Sequence, residues 1–216
     1  MKSLEKLRIV LLVNGILGSI LYVGADLLAG KLYDGYSFTS QAISELFAIG
    51  APTSGLVVPI FTLCSILQIA FALGVWASAN RIRALSVAAL MMVGNALNGL
   101  VLWNIFPMHV RGVEATFTDT MHVLLSGTGA IFAILALGFG TFAFKNRFRT
   151  YSVAMIFVLL APGLVAFMYI PQVAALQPTP WVGLTERIST YSYLLWQATL
   201  AFVLIKARAP QPIKKL

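Results

Sequence analysis

GLVVPIFTLCSILQIAFALGVWASANRIRALSVAALMMVGNALNGLVLWNIF, residues 55–106, decides the architecture of this chain. Two apolar runs, 55–79 and 83–106, flank Arg81 and Arg83. Each is as long as the roughly 20 residues a helix needs to cross a hydrocarbon core. Neither alternates with period two, which excludes an outer-membrane barrel built from strands of about ten residues. Working outward, the same pattern of apolar run and basic break predicts further spans at 8–30, 119–144, 150–172 and 185–206. The first resembles a signal peptide, with Lys2, Lys6 and Arg8 ahead of it and Val23-Gly24-Ala25 as a weak cleavage site. Its apolar character continues to Leu28, which favours a first membrane helix.

Composition agrees. Of 216 residues 59% are hydrophobic and 10% charged, whereas soluble domains carry about 25% charge. The expected fold is all-α: one membrane domain over 1–216 with six transmembrane helices. Lys2, Lys6, Arg8, Arg81, Arg83, Lys145, Arg147, Arg149, Lys206, Arg208, Lys214 and Lys215 fall on one side of it. Only Lys31, Arg111 and Arg187 fall on the other. The positive-inside rule places the first group, and both termini, in the cytoplasm of a cell-membrane protein. Basic residues gathered in short loops orient a membrane protein; they do not form a phosphate-tracking surface, so the net charge of +8 does not imply nucleic acid. The lone Cys64 excludes an intramolecular disulfide.

The acids segregate the other way. Asp26, Asp34, Glu45, Glu114, Asp119 and Glu186 fall on the outer side with His109 and His122, and only Glu5 is cytoplasmic. Chemistry is therefore expected outside. The longest connection, 31–54, contains a helix-compatible stretch from Ser40 to Ile49. There Ile43, Leu46 and Phe47 share a face, and Gly50 ends the turn. Too short to span, it reads as an interfacial or re-entrant helix capping the bundle. Pro162-Gly163 predicts a kink in the fifth span.

Four polar stripes recur at helical spacing: Asn14, Gly18, Tyr22 and Asp26; Asn95, Asn98 and Gly99; Asp119, His122, Ser126 and Gly129; Glu186, Thr190, Tyr193 and Gln197. Polar groups facing lipid are costly, so these stripes should face one another. For Asn14, Asn95, Asn98, Ser126 and Gln197 the plainer role is interhelical hydrogen bonding, and for Gly15, Gly18, Gly94 and Gly99 close packing. Trp103, Trp181 and Tyr191 sit where interfacial anchors are expected.

The outer ionisable cluster has three readings. In the first, Glu45 or Glu186 pairs with Arg111 or Arg187 and fastens the lid. In the second, His109, His122 and Asp119 bind zinc, although no H-x-x-x-H spacing occurs. In the third, His122 performs acid–base or proton-coupling chemistry with Asp119, Glu45 or Asp26. There is no G-x-S-x-G elbow, phosphate loop, dinucleotide fingerprint or C-x-x-C, and two histidines cannot ligate two haems with paired axial imidazoles.

Tyr36-Ser37-Phe38-Thr39-Ser40-Gln41-Ala42-Ile43-Ser44-Glu45-Leu46, followed by Gly50-Ala51-Pro52, resembles the signature of the prokaryotic six-helix membrane proteins called domain of unknown function 998. Phe106-Pro107 with His122, and Gly183-Leu184-Thr185-Glu186-Arg187-Ile188 with Trp196, resemble its later motifs. Where the family often has an acid after Phe-Pro, this chain has Met108-His109. The resemblance implies a six-helix bundle and an outer cluster of Ser44, Glu45, His122, Glu186 and Arg187; it implies no activity. A looser likeness is to membrane hydrolases related to alkaline ceramidases, which use more histidines around zinc than this chain has.

These readings lead to an outer pocket for a lipid or hydrophobic small molecule. His122, Asp119, Glu45, Glu186 and Arg187 are its candidate catalytic residues, with Arg187 as an anion clamp. Ser44, Asp26, Arg111 and Tyr193 are candidate ligand contacts. A hydrolase or acid–base enzyme fits this pocket; a proton-coupled transporter working through Asp26 and His122, or an accessory or sensor subunit with a fully paired network, are the alternatives.

Overall fold

The computed structural model describes residues 2–207, so Arg208, Lys214 and Lys215 of the basic set lie outside the described residues. Among the described residues there are seven α-helices: α1 (Lys2–Leu32), α2 (Ser54–Ser78), α3 (Arg83–Ile105), α4 (Phe117–Ala143), α5 (Asn146–Met168), the short α6 (Ile170–Ala174) and α7 (Val182–Lys206). Six segments are long and apolar enough to span a membrane, α5 and α6 acting as one. The six-helix expectation holds.

Local chemistry sets the boundaries. Phe106-Pro107 stops α3, because the residue before a proline is driven out of the α region. Thr116 opens α4 with a capping box: its hydroxyl accepts from the Thr118 amide, while Asp119 accepts from the Thr116 amide at 2.8 Å. At α7 the orphan amides of Gly183 and Leu184 donate to the Thr39 carbonyl at 2.9 and 3.1 Å. The expected helix over Ser40–Ile49 is shorter than predicted, a 3₁₀ helix of five residues, Ile43–Phe47. Gly50, with φ of 93°, supplies the left-handed turn after it.

The spans form a ring in chain order, α1 to α5, which α7 closes by packing on both α5 and α1; α2 and α7 also touch across it. One end carries the short α2–α3 and α4–α5 turns (the terminal end). The other carries the 3₁₀ helix, the α3–α4 loop and the α5–α7 connection (the capped end). Towards the terminal end the interior is filled by Leu12, Phe71, Met92, Leu137, Trp196 and Leu200. Towards the capped end, Ile43, Leu46 and Phe47 of the 3₁₀ helix turn inward onto Ala29, Val57, Phe61 and Leu102. The cap is thus a plug, held by the shared face expected from the sequence.

Of the glycines named for packing, an added Cβ at Gly15 or Gly94 would meet the rings of Phe71 or Phe132 on a neighbouring helix, one at Gly99 would meet Trp103 of its own helix, and one at Gly18 would make only ordinary contact with Leu67. Asn95 and Asn98 donate from α3 to the α4 carbonyls of Gly129 and Leu125, at 2.8 and 2.9 Å. Asn14 does not bridge helices; it bonds the Val10 and Leu11 carbonyls of its own helix. Gln197 is fully buried, with neither amide atom partnered. Within α5, Pro162 cannot donate to the ladder. Ser189 of α7 donates to the Leu159 carbonyl (2.8 Å) in the turn that the proline weakens. Of the proposed anchors, Trp181 is exposed. Trp103 instead stacks edge-on against Phe47 and Phe61, and Tyr191 bonds Asp26.

Candidate functional site: a half-paired cluster around a capped-end cavity

Two arginines fasten the cap. Arg187, in the first turns of α7, grips Asp26 of α1 through Nε–Oδ2 (2.9 Å) and Nη2–Oδ1 (2.8 Å). Its other N–H groups go to the Tyr36 hydroxyl (2.6 Å) and the carbonyls of Phe38, Gln41 and Gly183. The guanidinium also lies 4.9 Å from the Phe38 ring centroid. Tyr191 donates to Asp26 as well. Asp26 has no exposed surface and Arg187 only 6%. Burial lifts the Tyr36 hydroxyl above its ordinary range, partly offset by Arg187; the phenol stays protonated and donates to the Ala42 carbonyl at 2.7 Å.

Arg111, in the α3–α4 loop, repeats the device on Glu45: Nε–Oε2 is 2.8 Å and Nη2–Oε1 2.7 Å. Two further N–H groups reach Thr179 Oγ1 and the Ser40 carbonyl, both at 2.9 Å. Glu45 also accepts from the Ala42 amide at 2.8 Å, ahead of the 3₁₀ helix. Both guanidiniums are thus bidentate to a carboxylate, the strongest geometry available to such a pair. The pairs are Asp26–Arg187 and Glu45–Arg111; of the expected combinations only the second forms.

The histidines are held separately. His109 Nδ1 lies 2.9 Å from Asp119 Oδ2, and the His109 amide donates to Oδ1 at 2.7 Å. His122 Nδ1 lies 3.0 Å from the Phe106 carbonyl. A carbonyl only accepts, so Nδ1 carries a proton, and in the neutral imidazole Nε2 is left with a free lone pair. Asp119 is therefore partner to His109 and to the α4 cap rather than to His122. Among the described residues no group of three or more His, Cys, Asp or Glu side chains is placed to hold a metal ion. The geometry does not assemble His109, His122 and Asp119 into a zinc ligand set.

Beneath the cap lies a cavity of about 630 Å³, within the ~300–1,000 Å³ range of small-molecule sites. Ser44, Glu45, His109, Arg111, Asp119, His122 and Glu186 all line it. Asp26, Arg187 and Tyr193 do not: the first two are locked together, and Tyr193 is buried lower in α7, stacked on Trp196. Every Arg187 N–H is bonded within the protein, so the residue expected as an anion clamp is here a link between α1, α7 and the 33–42 segment.

Besides the exposed Glu114 and the far ring nitrogen of His109, three polar groups at the cavity are uncommitted among the described residues. His122 is only 5% exposed, and its Nε2 has no protein partner. Glu186 gives one oxygen to the Ile43 amide (2.7 Å) and has no cationic partner. Ser44 presents its hydroxyl without a protein hydrogen bond. Apolar lining comes from Val123 of α4, Ala166 and Phe167 of α5, and Ile170 and Val173 of α6. These wall residues carry no motif; nothing distinguishes them in the sequence from residues that merely face outward.

Fold and site together define a helical membrane protein of six spans, with a plugged end and a two-faced cavity under the plug. The family model described as "Protein of unknown function (DUF998)" matches residues 16–203. The chain belongs to this family. No curated protein and no solved structure matches it.

Proposed function

We propose that the capped-end cavity binds an amphiphilic small molecule, its polar end among Ser44, His122 and Glu186 and its apolar end along Val123, Phe167 and Ile170. The observation that carries this reading is the division of one cavity between uncommitted polar atoms and an apolar wall. That wall belongs to α4 and to the α5–α6 span, the least buried of the six, so the bilayer is the natural source of the ligand. The positive-inside pattern favours placing the capped end outside the cell membrane, with both termini in the cytoplasm.

An accessory subunit with a fully paired network is disfavoured by the unpaired groups at the cavity. Transport is disfavoured by the interior below it, which is filled by Phe71, Met92 and Trp196.

A second reading, hydrolysis, is favoured by the His122 tautomer. With Nδ1 held by Phe106, the basic Nε2 faces the cavity and takes a proton from a water attacking a bound acyl carbon, then returns it to the leaving group. Glu186, rather than Asp119 or Glu45, is an uncommitted carboxylate lining the same cavity.

The test is retention of native amphiphile. Protein purified in mild detergent is examined by native mass spectrometry, beside Val123→Trp, which fills the apolar half. About one bound amphiphile per chain in the wild type, lost in Val123→Trp, is expected. Equal retention by both would refute the cavity as the site. His122→Ala should weaken retention less than Val123→Trp does; under the hydrolytic reading it also abolishes turnover of acyl lipids.

A further inference from the structure

We propose that the polar end of the ligand is cationic, an alkylammonium group bound by Glu186 with His122 Nε2 as a second acceptor. This rests on the cavity reading above and adds the charge of the headgroup.

The argument is one of charge and hydrogen-bond roles. The cavity is lined by four carboxylates, Glu45, Glu114, Asp119 and Glu186, against one guanidinium, Arg111. Arg111 commits four of its five N–H groups, two to Glu45 and one each to Thr179 and the Ser40 carbonyl, which leaves a single Nη1 N–H. Arg187, the other cation of the capped end, has every N–H bonded within the protein. No donor fork remains to receive a phosphate or carboxylate.

What remains is made of acceptors. Glu186 keeps one carboxylate oxygen unbonded and lacks a counter-charge. His122, nineteen-twentieths buried, aims an unprotonated Nε2 into the same space. Glu186 is half-buried, and a carboxylate partly withdrawn from water is stabilised by an accompanying cation. Among the described residues Asp26 and Glu45 each have such a cation, whereas Glu186 and the exposed Glu114 do not. A bound ammonium supplies one and offers its hydrogens to Glu186, His122 and the Ser44 oxygen together. An alcohol satisfies the hydrogen bonds without the charge, and an anion faces like charge.

The experiment uses the full chain in lipid nanodiscs and four probes: dodecylamine, dodecanol, laurate and butylamine. Affinity is read by microscale thermophoresis on the wild type and on Glu186→Gln. The glutamine retains an oxygen for the Ile43 amide, so the 3₁₀ helix keeps its anchor. Dodecylamine should bind the wild type at least tenfold more tightly than dodecanol, laurate should bind worst, and Glu186→Gln should erase the difference between amine and alcohol. If dodecanol matches dodecylamine in the wild type, or laurate binds best, the cationic assignment is overturned while the cavity reading stands. If butylamine matches dodecylamine, the ammonium site is upheld and its source is a water-borne amine rather than the bilayer. If no probe binds, the cavity reading falls and the headgroup assignment with it.

Discussion

Removing Arg187 should damage the protein more than removing its partner, and removing both should cost less than the sum. Arg187→Met leaves Asp26 buried with Tyr191 as its remaining side-chain partner and frees the Phe38 and Gln41 carbonyls that tie the 33–42 segment to α7. Breaking one side of a buried pair costs about 3–5 kcal/mol, and the tethers place Arg187→Met at the upper end. Asp26→Leu leaves the guanidinium with three carbonyls and the Tyr36 hydroxyl, so it should fall near the lower end. With Asp26→Leu and Arg187→Met combined, no uncompensated charge remains, and the loss should drop below that of Arg187→Met alone. The coupling energy should be at least about 2 kcal/mol, well beyond the ~0.3–0.5 kcal/mol scatter of independent sites. The assay is reversible unfolding by SDS in mixed micelles, with proteolysis of the 33–42 segment as a local readout. Additive single losses, or a loss under 1 kcal/mol for Arg187→Met, would refute the assignment of this pair as the fastening of the cap.

Two further outcomes follow from packing and bridging. Gly183→Ala places a Cβ against the Gln41 and Phe38 carbonyl oxygens and the Arg187 guanidinium; it should cost about 1–3 kcal/mol and expose 33–42 to protease. Gly138→Ala, with nothing within 4 Å of the added atom, should be neutral in the same assay. Asn98→Ala should cost roughly 0.6–1.7 kcal/mol, the range for hydrogen bonds between membrane helices, and a cost near zero would show that its contact with the Leu125 carbonyl carries no stability.

The fold was legible because the bilayer makes it so. Every backbone polar group in the hydrocarbon must be paired within its own helix, so an apolar run such as 55–79 has one structural solution, and a basic break such as Arg81–Arg83 marks its end. Side-chain pairing has no comparable rule. Asp26 and Arg187 are far apart in sequence, and which guanidinium meets which carboxylate depends on α7 closing the ring beside α1. The Ser40–Ile49 stretch shows the intermediate case. Its apolar face was readable from Ile43, Leu46 and Phe47, but its length was not, because Glu45 and Glu186 take the Ala42 and Ile43 amides and fix a tight 3₁₀ turn there. Tyr191 was misplaced for a related reason: a tyrosine near a helix end has the same sequence appearance whether its hydroxyl reaches water or a buried carboxylate.

The resulting division among the acids is the strongest guide to function. Residue type and location singled out Asp26, Glu45, Asp119 and Glu186 alike, yet their partners separate them. Asp26 and Glu45 each lock a guanidinium, and Asp119 locks His109 and caps α4. A fold assembled for stability alone has no reason to leave the fourth with one backbone amide beside a cavity. Replacing it by an apolar residue would remove a desolvation cost that the other three offset. Under the proposed function, Glu186, which lines the same cavity as His122, is the group that a ligand would complete. The same reasoning demotes Arg187, the most conspicuous charge in the sequence, to a fastening: its donors are all bonded internally, and a side chain with none left cannot recognise a ligand.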